Sequence, residues 1–125
     1  TRILMLYVGG TIGMLQHAEL GYYPVGGMLA HELRQLPPFY DATATADYAN
    51  NEEVGEHAPG QHAGAVGLSP WLVTPPSIYG KRIAYRIKES SPLLDSSNMS
   101  MNDWLAIAAD IERHYQDYDA FIILH

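Results

Sequence analysis

The sequence predicts an α/β protein built on a doubly wound, mostly parallel sheet. Ile3–Val8 and Ala120–Leu124 are apolar runs without alternation, the pattern of strands buried on both faces. Between them, strand-like and helix-like periodicities follow one another, punctuated by Gly and Pro. Strands that alternate with helices wind into parallel sheets through right-handed crossovers.

Each element has its own signal. Ile3–Val8 stops at Gly9-Gly10, and residues 9–24 carry Gly9, Gly10, Gly13, Gly21 and Pro24, a loop or short hairpin. Over 26–36, Met28, Leu29, Leu33 and Leu36 fall at helical spacing, with Pro37-Pro38 as the stop. Residues 41–77 lose apolar periodicity and read as a long surface excursion or insertion, with a helical turn near Tyr48. Residues 82–89 alternate apolar and polar, a strand with one wet face or an edge position. Residues 90–100 are rich in turn formers. Ser100 with Asp103 three residues on is a capping box, and Trp104, Ile107, Ala108, Ile111 and Tyr115 mark the inner stripe of the helix that follows. The last run, 119–124, is a second buried strand. An apolar strand with no covering helix after it predicts a truncated chain whose fold further residues complete.

Composition narrows the chemistry. With 47% apolar and 17% charged residues, the 125-residue chain has the balance of one globular domain. A net charge of −7, with scattered Lys and Arg, argues against nucleic-acid backbone binding. The absence of cysteine excludes disulfides and thiolate metal sites. The first apolar run is too short for a signal core or a membrane span, so the expectation is a cytoplasmic protein with no membrane partner.

Three segments fall at strand ends, where open α/β sheets bind ligands. Val8-Gly9-Gly10-Thr11-Ile12-Gly13-Met14 follows the first strand. It lacks both dinucleotide-loop spacing and a P-loop lysine, and by itself is either a structural turn or the seat of an activated Thr11. Gly21-Tyr22-Tyr23-Pro24-Val25 is a glycine-bounded segment able to fold over that end as a lid. Leu94-Asp95-Ser96-Ser97-Asn98-Met99 offers hydroxyls, a carboxylate and amides suited to the two charged groups of an amino acid, although Asp-Ser-Ser is also a common turn.

Taken in this order, the strings resemble the cytoplasmic-type (type I) L-asparaginase family. Gly-Gly-Thr-Ile-Gly-Met, Gly-Tyr-x-Pro-Val, Pro-Leu-x-Asp-Ser-Ser-x-Met with Asp103-Trp104, and the stretch from Ile111 to His125 carry the likeness over 2–36 and 82–125. The resemblance implies that Thr11 is the nucleophile and Tyr22 the lid tyrosine that manages its proton. It implies further that Asp95, Ser96 and Ser97 hold the α-carboxylate and α-amino group of L-asparagine. Amides of the Gly10–Ile12 loop are candidate oxyanion or loop support. It also implies that residues 1–125 are an incomplete N-terminal catalytic domain followed by a smaller C-terminal domain, in a homodimer or homotetramer; no cofactor is expected. Val8 stands where the family often has threonine, and Asn98 where it usually has aspartate. The family's second catalytic threonine, aspartate and lysine follow its Leu-His ending, so the piece alone is expected to be inactive.

Two other readings stay open: an ammonia-supplying subunit of a tRNA-dependent amidotransferase, which shares the glycine–threonine signature, and a non-catalytic α/β small-molecule-binding module. His57 and His62 with Glu56 lack the converging ligands of a metal site and read as solvated, so no metal is expected. Asn98-Met99-Ser100 is a formal glycosylation sequon, read as incidental.

Overall fold

In the computed structural model of the chain, residues 1–19, 21–54 and 67–125 are described. Strand β1 (Arg2–Gly9) is flanked by β5 (Ala84–Leu94) on one side and β6 (Ala120–Leu124) on the other, both parallel to it. A two-residue strand β4 (Leu72–Val73) adds antiparallel to β5, giving the order β4-β5-β1-β6. Strands β2 (Met14–His17) and β3 (Gly21–Pro24) form a separate antiparallel hairpin.

The central place of β1 explains its unbroken apolar run. Tyr7, with Ile3 and Met5, packs beside Tyr85 and Ile87 of β5 and against Leu29 and Leu33 of helix α1 (Leu29–Arg34). Leu4, Leu6 and Val8 point to the other face and meet Ile107 of helix α3 (Met101–His114). Helices on both faces of a parallel core make the sheet doubly wound, as the periodicity predicts. The Asp103 carboxylate starts α3 by accepting the Ser100 N–H at 2.7 Å and its hydroxyl at 2.6 Å.

Several elements differ from expectation, each for a physical reason. Strand β5 is interior, because the polar members of its alternation are packed. The Arg86 guanidinium lies 5.2 Å from the Trp71 ring centroid, and Lys88 is ion-paired to Asp110 of α3. β5 also runs on to Leu94, through a stretch rich in turn formers. Residues Ala42–Val54 form helix α2 in place of a loop with a single turn. With no apolar stripe to mark it in the sequence, α2 docks by polar bonds along the open edge of β4. Val73 N–H donates to Thr45 Oγ1 at 3.0 Å, and Asp41 N–H to the Val73 carbonyl at 2.8 Å.

β6 is less buried than its run predicts, with Ile122 and Ile123 both partly exposed at the sheet edge. The stripe of α3 overhangs that edge. Ile107 is buried, whereas Trp104 is 43% exposed beside His125, and Tyr115 stacks on Phe121 from an exposed position. Ala108 is exposed as well. No helix among the described residues is long and apolar enough to cross a membrane.

The core assignment makes a direct prediction for urea unfolding. Leu4→Ala, at a fully buried position between β1 and α3, is expected to cost about 2–5 kcal/mol. Leu105→Ser, on the exposed side of α3, should stay within about 0.5 kcal/mol of the parent.

Candidate active site

Two glycines determine what stands at the end of β1. Gly9 has φ +138° and Gly10 φ +79°, conformations that L side chains rarely adopt. A Cβ on Gly9 would lie 2.0 Å from the Leu94 carbonyl oxygen, and one on Gly10 2.4 Å from the His125 carbonyl carbon. The chain thus leaves β1 through a slot between the ends of β5 and β6. Gly10 N–H donates to the Leu94 carbonyl at 3.1 Å, so Thr11 and Asp95 each adjoin one shared bond. Connections pass from β1 to β5 on one side and then across to β6 on the other, which makes the β1–β6 end a topological switch point.

Thr11 opens a 3-10 turn, Thr11–Gly13, closed by Met14 N–H on the Thr11 carbonyl, and is itself exposed. Ile12 projects into solvent, 64% exposed. The Gly10 amide is taken up by the Leu94 carbonyl. The β2–β3 hairpin rises from this turn and places Tyr22 opposite Gln16, with β3 packed back against the turn. Tyr22 is 67% exposed, and no hydrogen bond joins it to Thr11 among the described residues. The hairpin and the Thr11 turn adjoin beyond the end of β1.

The third segment follows β5 directly. Asp95 caps a 3-10 turn, Ser96–Asn98, by accepting the Ser97 N–H at 3.0 Å. That amide holds the carboxyl below the ordinary carboxylate range. Asn98 N–H closes on the Asp95 carbonyl at 2.9 Å, a backbone role that an asparagine fills as well as an aspartate. Ser96, Ser97 and Asn98 are exposed at the strand end, while Met99 anchors the loop on the α3-side core. The Thr11 turn thus adjoins both the hairpin that bears Tyr22 and the Asp95–Ser97 loop at the strand ends.

Two further residues at this end escaped sequence reasoning. Tyr7 is fully buried under the turn, and its hydroxyl has no hydrogen-bond partner among the described residues. Burial, and then the charge of Glu89, push its phenol pKa up. Glu89 is its register partner on β5 and accepts the Gly27 N–H at 2.6 Å. The only signal in the sequence was a polar atom in each of two runs read as strand.

A larger cavity, about 800 Å³, opens at the opposite end of the sheet. Two sets of its polar side chains pair across it: Arg2 with Glu52 and Tyr48, and Arg82 with Asp41. It braces α2 against β1 and β5. Glu56, His57 and His62 lie outside the described residues. Among the described residues no group of three or more His, Cys, Asp or Glu is placed to hold a metal ion.

The family profile "Asparaginase, N-terminal" matches residues 2–125. The chain belongs to the asparaginase family. It is 36% identical over 123 residues to L-asparaginase 1 of Escherichia coli K12, aligning 98% of itself with 25% of that protein. To the 60 kDa lysophospholipase of Homo sapiens it is 40% identical over 125 residues, 99% of the chain and 18% of the relative. Among solved structures, L-asparaginase I of Vibrio cholerae superposes with a TM-score of 0.55 at 30% identity, covering 99% of this chain and 25% of that one. The chain thus spans a quarter or less of the length of these asparaginase-family relatives.

Comparing two glycine substitutions tests the slot. Gly80→Ala meets only the left-handed backbone, at φ +70° with open space around it, and should cost about 1–2 kcal/mol. Gly10→Ala adds a backbone clash and should lower thermal stability clearly further; equal losses would contradict the wedged geometry. A pH prediction follows from Asp95. Because its folded pKa is depressed, the turn's stabilisation is complete above the ordinary carboxylate value and lost as pH falls below it. Ligand binding that depends on the Asp95 charge should be flat from about pH 5 to 8, as measured by calorimetry.

Proposed function

We propose that this chain supplies the attacking half of an L-asparaginase active site, with Thr11 as nucleophile. The observation that carries the reading is the convergence of Thr11, the Tyr22 hairpin and the Asp95–Ser97 turn at the β1–β6 switch point. Family membership supports the chemistry. Asp95, Ser96 and Ser97 receive the α-amino and α-carboxylate groups of asparagine, the carboxylate pairing with the ammonium and the hydroxyls with the carboxylate. The side-chain amide then lies toward Thr11.

Thr11 Oγ1 attacks the amide carbon as its proton passes to a base, with Tyr22 in the relay. The tetrahedral intermediate collapses by breaking the C–N bond, and the nitrogen leaves as ammonia after taking up a proton. Water attacks the resulting Thr11 ester, releasing aspartate and restoring the hydroxyl. By the family resemblance, the base and second threonine follow the segment ending at His125. The packing of Gly10 against the His125 carbonyl supports their arrival beside Thr11. The quaternary expectation, a homodimer or homotetramer in the cytoplasm without nucleic acid or membrane partner, belongs to the same reading.

One observation favours a second reading, ester hydrolysis: the human relative named a 60 kDa lysophospholipase aligns over the whole chain. The same Thr11 acyl transfer on a carboxylic ester would release an alcohol in place of ammonia.

The test assays the full-length protein against L-asparagine, L-glutamine and a lysophospholipid. Ammonia release from asparagine is expected, with Thr11→Ala lowering kcat at least about a thousandfold and KM changing little. Near-normal turnover by Thr11→Ala would remove Thr11 from the role. Fatty-acid release exceeding ammonia release would favour the ester reading.

A further inference from the structure

The hairpin that carries Tyr22 leaves β1 at one end and runs on to α1 at the other, and both ends rest on one residue pair of the sheet. It departs at Gly13, where a Cβ would lie 2.0 Å from the Tyr7 hydroxyl oxygen and 2.3 Å from its Cζ. It returns through Gly26 and Gly27. The Gly27 N–H donates to Glu89 Oε2 at 2.6 Å, and a Cβ on Gly26 would lie 3.7 Å from the same oxygen. Tyr7 and Glu89 face each other across the β1–β5 pairing. Immediately beyond them the ladder breaks, with Gly9 pairing with Leu94, so that two residues of β1 span five of β5. The last regular rung before the site is thus the rung that holds both ends of the hairpin.

The chemistry of the rung is unusual for a core position. Among the described residues the buried Tyr7 phenol has no hydrogen-bond partner, and phenylalanine would fill the same space without an unsatisfied hydroxyl. Among the described residues the Glu89 carboxylate accepts one hydrogen bond, from the backbone amide of a glycine with φ +79°. It also lines a cavity of about 280 Å³ with Gly27, Leu68 and Ile87. Packing alone accounts for neither side chain.

We propose that Glu89 and Tyr7 are positioning residues for the lid: Glu89 latches the returning end of the hairpin at Gly27, and Tyr7 seats the departing end at Gly13. Together they set the height of Tyr22 over Thr11. Neither touches the substrate. The inference takes its catalytic consequence from the asparaginase reading above, whereas the anchoring stands on the geometry alone.

The experiment uses the full-length protein with Glu89→Ala, Glu89→Gln and Tyr7→Phe. Hydrogen exchange followed by mass spectrometry reads the hairpin, residues 14–27, separately from β1, β5 and α3. Glu89→Ala is expected to speed exchange in 14–27 at least about tenfold, leave the strands and α3 unchanged, and lower kcat for ammonia release more than it alters KM. Glu89→Gln keeps an acceptor for the Gly27 amide and should restore most of both. Tyr7→Phe should fold at least as stably as the parent yet lose kcat.

Parent-like exchange in 14–27 with Glu89→Ala overturns the latch. So does equal damage from Glu89→Gln and Glu89→Ala, which would mark the charge and not the bond as the requirement. Should Glu89→Ala fail to fold, Glu89→Gln and Tyr7→Phe decide alone: slow hairpin exchange in the first and reduced kcat in the second support the anchor, and the opposite pair overturns it. The exchange readings decide the latch even where the parent releases no ammonia from asparagine, an outcome that would contradict only the asparaginase reading.

Discussion

The hydrogen bond from Gly10 N–H to the Leu94 carbonyl is the constraint on which the rest of the structure depends. It forms only because two successive glycines allow β1 to turn through a slot whose walls are the backbones of Leu94 and His125. One residue beyond the bond on one strand stands Thr11, and one residue beyond on the other stands Asp95. The separation of the two chemical loops is therefore fixed by a backbone contact at the sheet end and not by flexible side chains. Rigid placement of this kind is what the proposed attack of Thr11 on a bound amino acid requires.

The two-faced core keeps that contact in place. β1 alternates its side chains between α1 and α3, and every residue from Leu6 to Gly10 is buried. A central strand clamped in this manner cannot slide without moving an entire set of apolar side chains to the wrong face. Lys88 with Asp110, and Arg86 under Trp71, extend the clamp along β5 and account for polar residues in an interior strand. The hairpin is held differently: short, largely exposed, and tied to the sheet at its two ends. Burial is concentrated under Thr11 and sparse around Tyr22, a division that suits the proposed fixed nucleophile and substrate-admitting lid.

Much of this was legible in the sequence. The β1 run, the glycine pair, the capping box of α3 and the order of the three loops each carry a local signal, and the structure realises them where the pattern placed them. What escaped notice shares a different physics. α2 has no apolar stripe, because it is held by Thr45 and Asp41 on the edge of β4. The interior position of β5 was hidden, since Arg86 and Lys88 look solvated until Trp71 and Asp110 are brought over them by distant parts of the chain. The exposure of Trp104 and Tyr115 depends on where the sheet edge falls, a property of topology and not of periodicity. Tyr7 and Glu89 were absorbed into strand patterns, because only the register reveals that they share a rung.

In the proposed reaction Thr11 forms the covalent bond to the substrate. Rapid acid quenching of the full-length protein during turnover of L-asparagine, followed by peptide mapping with mass spectrometry, tests it most directly. The account predicts a β-aspartyl ester on the peptide that contains Thr11, located to that residue by fragmentation and absent from Thr11→Ala. An acyl group found on any other residue, while Thr11 remains unmodified, would contradict it.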